Sequence, residues 1–154
     1  MMKQIHKRIV LVVLAALISL TSQGVIAYEV SGESFPANFK ITSWTAEDGK
    51  STITSEGVVG EGYGKVYLTH TFNVNSDDGM SGDMVGQART VNQDGELQFA
   101  SLQGVWSRDG KIVSIHSFDS LNNGVLNHAQ GRVDLFEGTL SLSLIHISEP
   151  TRPY

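Results

Sequence analysis

No cysteine occurs in the 154 residues. Its absence excludes disulfides, thiolate metal sites, a cysteine nucleophile and a lipid-anchored cysteine behind a signal sequence. Basic residues are scarce as well: 11 Lys and Arg stand against 16 Asp and Glu, a formal charge of −5. An acidic surface repels phosphate backbones, so nucleic acid and anionic membranes are poor partners. The GxSxG elbow of serine hydrolases is missing. So are the HxH and HxxxH spacings that bring two histidines of one strand or helix to one metal. Neither a metal site nor a cofactor is therefore expected. Past residue 27, no stretch keeps apolar residues at helical spacing for three turns.

One hydrophobic run stands out, and it is short. Lys3, Lys7 and Arg8 precede an apolar stretch of twelve residues, Ile9 to Leu20, and a polar segment closes on Val25-Ile26-Ala27. A basic start, a short apolar middle and small residues before a cut describe a secretory signal peptide, residues 1–27. A bilayer span needs about 20 apolar residues, so an uncleaved anchor is the weaker alternative. The protein is expected to be secreted or periplasmic, free of the membrane once cleaved, with a formal charge of −8.

What the chain has in abundance is turns. Asp48-Gly49, Asp78-Gly79, Asp94-Gly95, Asp109-Gly110, Asn123-Gly124 and Glu137-Gly138 recur, and from Gly79 the glycines are 16, 15, 14 and 14 residues apart. Such dipeptides supply the positive φ of tight hairpins. The segments between are rich in Val, Ile, Thr, Tyr and Phe and alternate with period two. In KVYLTHTFNV one face carries Val66, Leu68, His70, Phe72 and Val74. Strands are expected near 37–46, 51–60, 64–75, 82–92, 96–108, 111–121, 125–136 and 139–144. A meander of that length hides both edges by closing, so the expected fold is all-β, an antiparallel up-and-down barrel of about eight strands. A β-sandwich is the alternative, but it usually needs longer crossovers.

The last residues break the rhythm. LSLIHISEPTR, from Leu142, matches the frame-read translation of a transposon-end adapter used in DNA sequencing libraries. The expectation is one barrel domain over 28–141 and a non-native tail over 142–154. The alternative is a genuine exposed arm. His146, Glu149 and Arg152 accordingly carry no functional argument.

The candidates for chemistry are few. His70 and His116 lie among apolar neighbours, either as a polar pair lining a cavity or as ordinary half-buried histidines; His128 is the third in the domain. Glu56 is the one acid well inside an otherwise uncharged strand. Buried, it would have a raised pKa and act as acid or base; beside Thr52 and Thr54 in solvent it would be inert. Arg89 is a candidate partner for it. Asp119 and Asp134 sit within strands, on mixed faces. NVNSDDG spaces Asn73, Asn75 and Asp77 like a calcium loop, but its glycine is one place late and position twelve is Met84, so it reads as an acidic hairpin tip. GEGYG joins two strands with no following helix and reads as a turn or bulge.

LQGVWSRDGKIVSIHSFDSLNNG, with FKITSW and SGDMVGQA before it, resembles small secreted bacterial relatives of the allene oxide cyclase barrel over about residues 37–141. That resemblance implies an eight-stranded calycin-like barrel, often a homo-oligomer. In the plant enzyme a cavity steers cyclisation of an unstable fatty-acid epoxide, but none of its functional residues finds a match here.

Three functions remain open. The first is a barrel binding a small apolar or amphipathic ligand through Glu56, His70, Phe72, Phe99, Trp106, His116 and Phe118. The second is a structural or assembly protein filled by its own side chains, with Trp44 and Trp106 in the core. The third is an isomerase or cyclase in which Glu56 or a histidine moves a proton.

Overall fold

The computed structural model describes residues 34–60 and 63–147; the segment expected to be a signal peptide, residues 28–33 and 61–62, and residues 148–154 of the tail lie outside them. Eight strands follow in order: β1 (Ser34–Glu47), β2 (Lys50–Val59), β3 (Gly64–Val74), β4 (Ser81–Val91), β5 (Leu97–Asp109), β6 (Ile112–Leu121), β7 (Leu126–Asp134) and β8 (Thr139–Ile147). Each pairs antiparallel with the next, and β8 returns to β1, so the sheet is a closed barrel. That last pairing, Phe39 opposite Leu140 and Phe35 opposite Leu144, excludes the sandwich. The glycines of all six turn dipeptides adopt positive φ, between 57° and 85°.

Period-two alternation decides what the barrel encloses. Val66, Leu68, His70 and Phe72, which alternation puts on one face of β3, face inward and are buried. From β6 the buried residues are Val113, Ile115, Ser117 and Asp119. Ile53, His70, Met84, Leu102, Ile115, Val133 and Leu140 are almost wholly buried and fill the middle. Burying one Leu- or Ile-sized side chain contributes about 1.5–3 kcal/mol, which makes this layer the main source of stability. Where β5 and β6 come closest, only glycine fits: a Cβ on Gly104 would land on the carbonyl oxygen of His116 and the backbone of Ser117.

β1 carries a bulge between Ile41 and Ser43. An extra residue reverses which side chains face in. Before it, Ala37 and Phe39 are buried; after it, Trp44 lies opposite the inward Ile53. The strand slot predicted to hold foreign residues is also part of the wall. Leu142 is buried, and Leu142 to Ile145 pair with Ala37 to Ser34 of β1.

The meander gives the barrel two unlike ends. The hairpin end holds the connections β1–β2, β3–β4, β5–β6 and β7–β8. The terminal end holds β2–β3, β4–β5 and β6–β7, together with the start of β1 and the finish of β8.

Candidate functional site

Of the seven residues singled out in the sequence, three come together inside the barrel. His70 and Phe72 stack at 6.2 Å between ring centroids, and Phe72 meets Trp106 edge-on at 5.9 Å. The Trp106 indole N–H donates to the carbonyl of Asn73 at 2.9 Å. His70 is 1% exposed, and its Nδ1 has no partner among the described residues; the same holds for Ser55 Oγ. Burial lowers the His70 pKa to about 4, so the ring stays neutral.

The other four face outward. His116 does not line the interior with His70, because β6 turns its other face in. It stacks on His128 at 6.4 Å, with Phe118 5.4 Å from the same ring. Phe99 lies under the Arg89 guanidinium at 5.4 Å and reaches only the rim of a cavity. Glu56 is about two-fifths exposed and pairs with Lys65 at 3.2 Å. Arg89 is not its partner, since Tyr67 stands between them in the register. A half-exposed ion pair is worth about 0–1 kcal/mol. Glu56→Gln should therefore shift stability by less than about 1 kcal/mol in urea denaturation. Trp44 is 54% exposed and so is no core residue. NVNSDDG is a hairpin tip, with the Asn73 and Asn75 amides both donating to Asp83 at 2.7 Å.

The interior group that the sequence reading passed over is Asp119. It sits at the terminal end of β6, 5% exposed, and opens on a cavity of about 70 Å³. Phe39, Val66, Leu68 and Ala100 make apolar walls, and Phe35 stacks on Tyr63 at 5.8 Å at the rim. A water needs roughly 10–15 Å³ of such space, so the cavity exceeds one water several-fold. Burial pushes the Asp119 carboxyl up to about 6, partly offset by a hydrogen bond from Ser117 Oγ at 2.9 Å. Asn127, 2% exposed, lies directly across from it on β7. The Thr90 hydroxyl donates to the Tyr63 carbonyl nearby.

The chain matches no protein-family model, no curated protein and no solved structure. The site therefore stands on its own geometry. Among the described residues, no three His, Asp or Glu side chains converge as a metal site would require. What converges is a carboxyl and an amide at the edge of an apolar chamber. A signal for it was present: Val113, Ile115 and Leu121 make the Asp119 face of β6 the more aliphatic one, and an acid on such a face is the anomaly to follow.

Proposed function

We propose that this protein is a secreted barrel that binds a small apolar or amphipathic molecule in the cavity at its terminal end. The ligand's apolar body lies against Phe39, Val66 and Leu68, and its polar group donates a hydrogen bond to Asp119. The observation that carries this reading is a nearly buried carboxyl, with one hydrogen bond from the protein, facing a cavity larger than a water. Binding sites for small molecules have this make-up, an apolar lining with a few placed polar groups. A purely structural role needs no such chamber, although the packed middle suits it.

Uptake of phenol, a single apolar ring with one O–H donor that the part-open cavity can seat, tests the reading by isothermal titration. The wild-type barrel should bind it, and Ala100→Phe, which fills the chamber, should abolish uptake. Asp119→Asn should weaken it about tenfold, the worth of a hydrogen bond to a charged group. Absence of uptake, or uptake indifferent to Ala100→Phe, rules the cavity out.

A second reading is a proton-moving isomerase or cyclase of the allene oxide cyclase kind. In its favour is the same carboxyl, whose pKa of about 6 suits an acid or base near neutral pH. Lost turnover with retained probe binding in Asp119→Asn would single it out.

A further inference from the structure

The hairpin end holds a second chamber, larger than the first, whose lining has Arg108 as its charged residue. Its space is about 240 Å³, and Trp44, Phe72 and Trp106 wall it with Arg108 at the lip. The packed middle, with Ile53, His70 and Met84, separates it from Asp119.

Three features fit it to a ligand. The β1 bulge places Trp44 on the inward phase, yet the indole stays 54% exposed, uncovered by any of the described residues. Trp106 is fixed by its hydrogen bond to Asn73 and its edge contact with Phe72, so the opposite wall is rigid before any ligand arrives. Arg108 is exposed, and among the described residues no carboxylate pairs with it. Its contacts are the Gly110 carbonyl at 3.4 Å and the Met80 sulfur at 3.1 Å, both weak partners for a guanidinium. What sets it apart from Arg89 and Arg132, which also lack a carboxylate partner among the described residues, is its place at a chamber walled by two tryptophans, where it can take an acid from outside. Its planar fork matches a carboxylate.

We propose that the hairpin end is a binding site for a flat aromatic carboxylate, its ring between Trp44 and Trp106 and its carboxylate on Arg108. The site is independent of the Asp119 cavity, and either stands if the other fails.

Isothermal titration of the protein with 2-naphthoate and with neutral 2-naphthamide tests it. Naphthoate should bind at least about tenfold tighter than the amide, as a charge-assisted pair implies. Arg108→Gln should erase that preference while the amide's affinity stays unchanged. Trp44→Ala should weaken both ligands about tenfold, the scale of aromatic stacking losses. Both side chains are exposed, so melting curves of the variants should match wild type. Asp119→Asn should leave naphthoate binding unaltered. Naphthoate binding no tighter than naphthamide, or a preference that survives Arg108→Gln, overturns the proposal. So does the absence of any heat of binding to wild type.

Discussion

Asp119→Asn should make the barrel more stable at pH 7 by about 3 kcal/mol, and it should turn a nearly flat pH profile into a rising one. Inside the fold the Asp119 carboxyl titrates near 6 against an ordinary 3.8, so the folded state holds this proton more tightly than the unfolded chain does. Its contribution is therefore full below pH 3.8 and is lost as pH rises towards 6. A gap of about two pH units corresponds to about 3 kcal/mol. His70 runs the other way. Its folded value is about 4 against an ordinary 6.5, so the folded state resists the proton. That contribution is full above pH 6.5 and is lost as pH falls towards 4, again by about 3 kcal/mol.

The two groups offset each other from pH 4 to 6.5, which is why wild type should vary little there. Removing one exposes the other. Asp119→Asn leaves His70 alone, so stability should climb across that window; His70→Gln leaves Asp119 alone, so stability should fall across it. Below about pH 4 both variants and wild type should weaken together, as Asp78, Asp83 and Asp134 are protonated. Hydrogen bonds hold those three carboxyls below the usual range. Urea denaturation at pH 3, 4, 5, 6 and 7 reads all of this. Parallel profiles for wild type and Asp119→Asn would mean that the carboxyl is hydrated and the cavity is not the apolar chamber described. A residue that destabilises its own fold at neutral pH is most simply explained by use, because an asparagine would serve the structure better.

How far the fold was legible follows from how local its causes are. Turn dipeptides act within four residues, and each of the six set a hairpin or connection where the sequence placed it. Strand ends differ from expectation by at most three residues. The sequence shows the two faces of β3 clearly, because its aliphatic residues and Phe72 share one phase and only Tyr67 stands on the other. Those of β6 are less distinct, because both carry apolar residues, Ile112 and Phe118 on one, Val113 and Ile115 on the other. A barrel's outer wall tolerates exposed apolar side chains, so Phe118 outside violates nothing. The β1 bulge was invisible for a different reason. One extra residue changes neither composition nor alternation noticeably, yet it decides that Trp44 faces the hairpin-end chamber. The two cavities depend on strand stagger around a closed ring, a property of eight strands together rather than of any one.

Ending the chain after Ser141 should abolish cooperative folding. The cut removes Leu142, Leu144, Ile145 and Ile147, of which Leu142 and Ile147 are buried. At about 1.5–3 kcal/mol for a fully buried side chain, their joint loss is on the order of 5 kcal/mol. Small domains are stable by about 5–15 kcal/mol in all, so that loss alone approaches the total. The cut also unpairs Ser34 to Ala37 of β1 and Leu126 to Gly131 of β7, leaving two open edges where there were none. Open edges pair with other chains. The truncated protein should elute as aggregate in gel filtration and lose its thermal transition. Restoring six residues with apolar side chains at 142 and 144, but an otherwise unrelated sequence, should restore a cooperatively melting barrel that elutes like the intact protein. What the slot requires is alternation, because those two positions face Ala37 and Phe35 while Ser141 and Ser143 face out. The same requirement applies to the gene. Read from unsheared DNA, the codons after Leu140 should again place apolar residues at 142 and 144, whether or not they spell LSLIHI. A truncated chain that elutes like the intact protein with an unchanged melting temperature would mean that the barrel closes without β8.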